Sequence, residues 1–175
     1  MIVGIVAAVF GSTGFLGCYL VQQLAKTGSQ VLVPFRGSKD SYRHPKLMGD
    51  LGQIGPMKYN PRDEDSIKAV IAKANVVINL IGTLCSLAMR DHETRNFSFE
   101  EVNHSMAQQL ATISKEHGVI MRFIQVSCLG ASSLSPSRFL RTKAAAEEAV
   151  FSELPEATIL RLAVMVGTAD RILNR

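Results

Sequence analysis

The chain has 175 residues, enough for one domain with its own core. Apolar residues make up 47% and charged residues 19%, which excludes a disordered chain, and 6% aromatics with no Trp implies an interior of Val, Ile, Leu and Ala. The net charge of +4 comes from scattered basic residues, which suits an anionic ligand but lacks the clustered cations and interleaved aromatics of a nucleic-acid surface.

In chain order, Ile5 to Phe10 is a run of small and branched apolar residues that predicts a strand, and Gly11 to Gly17 is a glycine-rich turn. A helix follows from Phe15, with Leu16, Leu20 and Leu24 on its core face and Gly28 as its stop. Gln30 to Phe35 predicts a second strand, limited by Pro34, and residues 36 to 52 read as polar and irregular. Ile54 to Tyr59 predicts a short third strand. Asn60 as cap and Pro61 at the first position predict a helix with Asp63, Glu64 and Asp65 at its positive end and a core face of Ile67, Val70, Ile71 and Ala74. Asn75 to Ile81 reads as a strand covered on both faces. Val102, Met106, Leu110 and Ile113 mark a helix ended by Gly118, and Ile120 to Val126 predicts a fifth strand. After the turn residues of Ser127 to Ser137, Arg138 to Leu154 is an Ala-rich helix stopped by Pro155, and Ala157 to Leu162 is a sixth strand. Alternating strands and helices predict an α/β fold: a three-layer, doubly wound parallel sheet of order 3-2-1-4-5-6, one domain over residues 1–175.

Cys18, Cys85 and Cys128 are widely spaced with no C-x-x-C, so neither a disulfide framework nor a metal site is expected. His92, His104 and His117 are not at ligand spacing either. No apolar run approaches the ~20 residues that span a bilayer. Met1 to Phe10 lacks a basic leader and reads as a buried strand rather than a signal peptide.

Chemistry concentrates at Gly11-Ser12-Thr13-Gly14-Phe15-Leu16-Gly17, a G-x-x-G-x-x-G between a strand and a helix. Gly11 suits the tight turn, Gly14 admits a pyrophosphate and Gly17 lets helix pack on strand, while the helix N-terminus offers free N–H groups to the anion. The alternative is a plain glycine-rich turn. The second strand ends in Phe35-Arg36-Gly37-Ser38, with no carboxylate until Asp40. A carboxylate there would bind the ribose hydroxyls of NAD; Arg36, helped by Ser38, instead offers a planar fork of donors to the 2′-phosphate of NADP. A solvated loop arginine is the alternative.

The order of these motifs resembles the extended and atypical short-chain dehydrogenase/reductases, whose nucleotide-binding domain is a Rossmann fold. By that resemblance Asp50-Leu51 contacts the adenine, and Asn79-Leu80-Ile81-Gly82 closes the fourth strand, with Asn79, Leu80 and Gly82 near the sugar. Asn103 matches the Asn of the following helix, and Ser127 begins the catalytic Ser/Thr region. Active members carry Tyr-x-x-x-Lys on the next helix, where the Lys lowers the Tyr pKa so that the phenol passes a proton. Here the segment is Phe139-Leu140-Arg141-Thr142-Lys143. Lys143 can hold the nicotinamide ribose, but Phe139 has no proton to give, so Ser127, Phe139 and Lys143 read as a degenerate catalytic site. Tyr19, Tyr42 and Tyr59 lie on other elements.

The segments VFGSTGFLG, MKYNPRDEDSI and ATILRLAVMVG resemble in particular the branch of the family that serves as an accessory subunit of mitochondrial respiratory complex I. The resemblance implies bound NADP(H) rather than NAD(H), no hydride chemistry, other complex I subunits as partners, and a place on the matrix side of the inner membrane. Departures are Cys18, where a basic residue is usual, and the rewritten stretch Thr83 to His92. Leu162 also lacks the following Pro, and only residues 163–175 remain where the family's substrate lobe follows. The rival readings are an NADPH-dependent reductase using another acid and a cofactor-sensing or RNA-associated protein.

Overall fold

A computed structural model of the chain describes residues 4–82, 98 and 100–168. The expectations placed on Thr83 to His92 and on Cys85 lie outside these residues. Six strands form one sheet: β1 (Val6–Phe10), β2 (Gln30–Phe35), β3 (Ile54–Lys58), β4 (Val76–Asn79), β5 (Arg122–Cys128) and β6 (Thr158–Leu162). Every pairing is parallel and the order is β3-β2-β1-β4-β5-β6, as the alternating pattern predicts.

The helices α1 (Phe15–Lys26), α2 (Arg43–Lys46), α3 (Glu64–Ile71), α4 (Met106–His117) and α5 (Arg138–Glu153) complete three layers. Successive residues of a strand face opposite ways, so β1 divides its side chains between two cores. Ala7 and Val9 pack with Val21 and Ala25 of α1, while Ala8 and Phe10 pack with Ile67, Val70 and Ile71 of α3 and Leu110 of α4. The two alanines at the middle of the sheet let both helical layers close in.

The buried face of α1 is Gly17, Val21 and Ala25, not the leucine row. Leu20 and Leu24 are only partly buried beside it, because the small residues are what let the helix axis approach β1. Pro34 sits inside β2 without loss: the β1–β2 register ends at Ala8 and Leu32, so no β1 carbonyl awaits its missing N–H. Residues 36 to 52 are less irregular than expected, with a 3₁₀ turn at Lys39–Tyr42 leading into α2 and the Tyr42 ring resting on Phe35 at 4.5 Å.

Three boundaries move. Helix α3 begins at Glu64 with Asp63 at its N-cap position, and Asn60-Pro61 forms a separate turn before it. The Asn60 side chain accepts from the Arg62 N–H at 3.1 Å, and Ser66 Oγ donates to the carbonyls of Asn60 and Asp63. An Asx turn thus competes successfully for the residue that would have capped the helix. Strand β4 is shorter than the apolar run: the side chain of Asn75 accepts from the Val6 N–H at 2.9 Å, and the strand ends at Asn79 with a last bond from the Leu80 N–H to the Phe10 carbonyl. Strand β5 starts and ends two residues late, carrying Ser127 and Cys128 within the sheet. Helix α4 ends at Gly118 (φ +67°) as expected, and a π turn at Glu101–Ser105 precedes it.

Candidate functional site

The glycine-rich turn joins β1 to α1 at the C-terminal edge of the sheet. Gly11 has φ +85°, open to glycine and strained for other residues, and its carbonyl accepts from the Gly14 N–H at 3.0 Å. A Cβ on Gly17 would stand 2.4 Å from the Gly11 carbonyl oxygen and 2.5 Å from Ser12 Cα, so no side chain fits there. Gly14 is the extended residue before α1, and no side chain caps the helix. Free N–H groups at the start of a 12-residue helix present a partial positive charge to whatever occupies the turn. Thr13 is exposed at its tip, and Phe15 and Leu16 are half-buried. Ser12 faces inward: it is fully buried, with its hydroxyl directed to the Pro34 carbonyl at 3.5 Å. Cys18 is a small polar plug, its thiol donating to the Ser12 carbonyl at 3.8 Å and pushed up in pKa by burial.

Arg36 is exposed at the C-terminal end of β2. It lies near Tyr59, whose phenol is raised by burial against Phe10 and partly lowered again by the Arg36 charge. The Ser41 hydroxyl donates to the Arg36 carbonyl at 3.4 Å, folding the following loop back on the strand end. Asp40, the first carboxylate after β2, is paired with Arg43 at 3.0 Å, and Ser38 is exposed beside it.

The expected adenine pair is a correction. Asp50 and Leu51 precede β3 instead of following it, so in a parallel sheet they fall at the N-terminal edge, opposite the glycine turn. The Asp50 N–H donates to Gln53 Oε1 at 3.0 Å, and Gln53 Nε2 donates to the Ala25 carbonyl at 2.7 Å, in the last turn of α1. A helix of this length puts ~18 Å between that turn and the glycine-turn end. The chain that does leave β3 at the edge of the glycine turn is Tyr59-Asn60-Pro61, where the sequence predicts the strand's last residue and a helix start at Asn60-Pro61.

The other half of the edge gathers several expected residues. Asn79 ends β4 but turns inward: its Nδ2 donates to Gln125 Oε1 at 2.8 Å and its Oδ1 accepts from the Ile81 N–H at 2.9 Å. It is buried and shapes the turn that carries Leu80 and Gly82, rather than offering itself to a sugar. The Leu80 N–H donates to the Phe10 carbonyl, tying this turn to the glycine turn. Gly82 is exposed, and a Cβ there would meet Lys143 Nζ at 2.7 Å and Asn103 Oδ1 at 3.4 Å. Asn103, buried in the π turn, donates to Thr142 Oγ1 at 3.4 Å. Lys143 of α5 is buried, with Nζ donating to the Ile81 and Val126 carbonyls at 3.4 Å each, and desolvation pulls its pKa below the ordinary lysine value. Ser127 is buried on β5, and its hydroxyl has no hydrogen-bond partner among the described residues.

Phe139 is one helical turn before Lys143 on α5. The chain's three tyrosines lie elsewhere, Tyr19 on α1 bonded to Thr168 at 2.9 Å, Tyr42 on Phe35 and Tyr59 on Phe10. Sequence reasoning missed Gln125 and the pair of buried Glu147 with half-exposed Arg161, at 2.6 Å. The i, i+4 spacing of Lys143 and Glu147 in an alanine-rich helix marks Glu147 out, but nothing local points to Arg161 as its partner. No group of three or more potential metal ligands occurs among the described residues.

Comparison with known proteins agrees with this geometry. The chain is 74% identical over 171 residues, 98% of its length, to "NADH dehydrogenase [ubiquinone] 1 alpha subcomplex subunit 9, mitochondrial" of Arabidopsis thaliana, and 48% identical over the same span to the mouse protein of that name. It spans 41% and 43% of these relatives. Among solved structures, a putative NAD-dependent epimerase/dehydratase from Bacillus halodurans superposes with a TM-score of 0.75 over 96% of this chain and 74% of that one, at 16% identity, a likeness of fold. Residues 7–143, from β1 through the glycine turn to Lys143, match the family model as well. With that match, the chain belongs to the NAD dependent epimerase/dehydratase family.

Proposed function

We propose that the chain is the nucleotide-binding part of a non-catalytic accessory subunit of mitochondrial respiratory complex I, and that it holds NADP(H) in preference to NAD(H). The relatives' names support the complex, the other complex I subunits as partners and the mitochondrial place; the matrix side of the inner membrane follows from the resemblance. No helix among the described residues is long and apolar enough to cross a membrane, so attachment would run through partners. The family supports a nicotinamide dinucleotide.

The observation that carries the reading is the pairing of a retained binding group with a missing acid. Lys143 is buried between Gly82 and the β5 end, where the Ser127 hydroxyl has no partner among the described residues, yet Phe139 stands one turn back without an ionisable group. These residues fit the cofactor. The backbone of Gly11, Ser12, Thr13, Gly14, Phe15, Leu16 and Gly17 would hold the pyrophosphate, Arg36 the 2′-phosphate, and Leu80, Gly82, Ser127 and Lys143 the nicotinamide half. A bound nicotinamide supplies hydride chemistry; this chain's residues bind and orient it without a phenol to move the substrate's proton. Binding stabilises the fold by mass action, about 2.7 kcal/mol at a ligand concentration 100 times the dissociation constant.

A thermal-shift titration with NADPH and NADH tests binding, and NADPH oxidation with aldehydes and ketones tests turnover. The expected result is a larger rise in Tm with NADPH and no oxidation. The retained Ser127 and Lys143 support one rival, a reductase using another acid. Carbonyl reduction at enzymatic rates, abolished by Lys143→Ala, would establish that rival instead. Co-migration of the tagged chain with complex I on native gels tests the partnership.

A further inference from the structure

Glu147 lies one helical turn beyond Lys143 on α5, and cofactor binding leaves it unused. Its side chain is buried, a position a carboxylate occupies only when paired. Arg161 of β6 supplies the pair as a fork: Nε donates to both carboxylate oxygens at 3.1 and 3.2 Å, and Nη2 to Oε2 at 2.6 Å. The guanidinium is half in solvent while the carboxylate is not, so the charge that must be held in place is the one on α5. A bidentate fork fixes orientation as well as distance. The carboxylate is thereby anchored across the α5–β6 junction, beside the end of β5.

The surroundings of Lys143 explain why this matters. Among the described residues its ammonium donates only to two neutral carbonyls, at the long limit of hydrogen bonding. The π turn brings Asn103, β4 and its turn bring backbone and Gly82, and β5 brings Ser127, all neutral. Cys128, the last residue of β5, feels Lys143, Glu147 and Arg161 together, and burial pushes its thiol up. Burial disfavours the charged form of Lys143, and Cys128 and then Glu147 favour it; of the two, Glu147 is the carboxylate, one turn along the same helix and held by Arg161.

We propose that the Glu147–Arg161 pair is a positioning device for the cofactor cleft: it fixes a buried carboxylate one turn behind Lys143, so that Lys143 stays charged and aimed at the cleft. A residue on the outer strand thereby governs a group in the cleft it does not touch. The effect on cofactor affinity rests on the proposed NADP(H) reading; the effect on Lys143 itself does not.

The test is an NMR titration of ¹³Cε-lysine in the cofactor-free chain, with the Lys143 signal identified by its loss in Lys143→Arg. Glu147→Gln removes the carboxylate and leaves the Arg161 cation, so the proton affinity of Lys143 is expected to fall about tenfold. Arg161→Met removes the cation and frees the carboxylate, so Lys143 should move the other way. Damage to packing alone would move both variants in one direction. Glu153→Gln, which cuts the exposed link from α5 to Lys115 on α4, should move neither. An unchanged titration in Glu147→Gln, or a parallel shift in the two variants, overturns the proposal. Should Glu147→Gln fail to fold, Arg161→Met must raise the proton affinity and Arg161→Lys must leave it within about twofold; failure of either overturns it. NADPH affinity measured alongside should fall in Glu147→Gln as pH rises toward the ordinary lysine value of 10.5. A chain that shows the lysine shift but binds no NADPH keeps the clamp and removes the cofactor reading; one that binds without the shift does the reverse.

Discussion

Gly17 lies so close to Gly11 that a Cβ on the first would enter the carbonyl oxygen of the second, at 2.4 Å. Helix α1 can lean this far onto the turn because its contact residue has no side chain, and the lean brings its N-terminal N–H groups to the sheet edge. Gly14, three residues earlier, meets only the Gly11 carbonyl oxygen, at 3.3 Å, so its near side is otherwise open.

The two glycines should therefore fail differently. Gly17→Ala forces backbone apart and is expected to destabilise the fold by about 1–3 kcal/mol or more, in the range of overpacked cores. Gly14→Ala should change stability by under about 1 kcal/mol yet weaken dinucleotide binding at least tenfold. Urea denaturation with NADPH titration separates the two, and equal stability losses would count against these assignments.

At the adenosine end the prediction sets one edge of the sheet against the other. Arg36→Ala should weaken NADPH binding by roughly 10–100-fold, the loss of a charge-assisted pair, and leave NADH binding nearly unchanged. Leu51→Ser, at the far edge of the sheet, should alter neither. Isothermal titration of both cofactors reads this directly. A loss of affinity in the Leu51 variant would restore the adenine role that the fold denies it.

Lys143 makes stability depend on alkaline pH. Its pKa is depressed in the folded chain, so below that value the fold bears the burden of a buried ammonium that the unfolded chain does not. Between the depressed value and the ordinary 10.5 the unfolded state binds more protons, and stability rises with pH. Tyr59 acts in the opposite sense, since its raised pKa makes stability fall with pH above the ordinary 10.0. The difference between wild type and Lys143→Met isolates the lysine: denaturation midpoints from pH 7 to 10 should converge as pH rises. NADPH affinity of the wild type should fall over the same window. A constant difference between the two proteins would mean that Lys143 does not titrate there.

Much of the site was legible because it is local. The strand, the glycine turn and the helix that follows are contiguous, and the backbone needs of a tight turn and a close helix are written in glycines. Phe139 and Lys143 share a helix, so their side-by-side placement follows from 3.6 residues per turn. Where local signals competed, the reading slipped. Asn60 serves as well in an Asx turn as in a helix cap, and the choice went to the turn that Ser66 completes.

From its sequence alone this chain already declares a parallel α/β sheet, a glycine-rich turn between strand and helix, a cationic end to β2 and a phenylalanine one helical turn before Lys143, because each depends on neighbours within a few residues. Tertiary structure alone decides that Asp50 and Leu51 lie at the wrong edge, that Asn79 turns inward to Gln125, and that Arg161 reaches Glu147. Those outcomes depend on strand direction and on contacts between segments far apart in the chain, and side-chain type constrains such contacts only weakly until the sheet has brought them together.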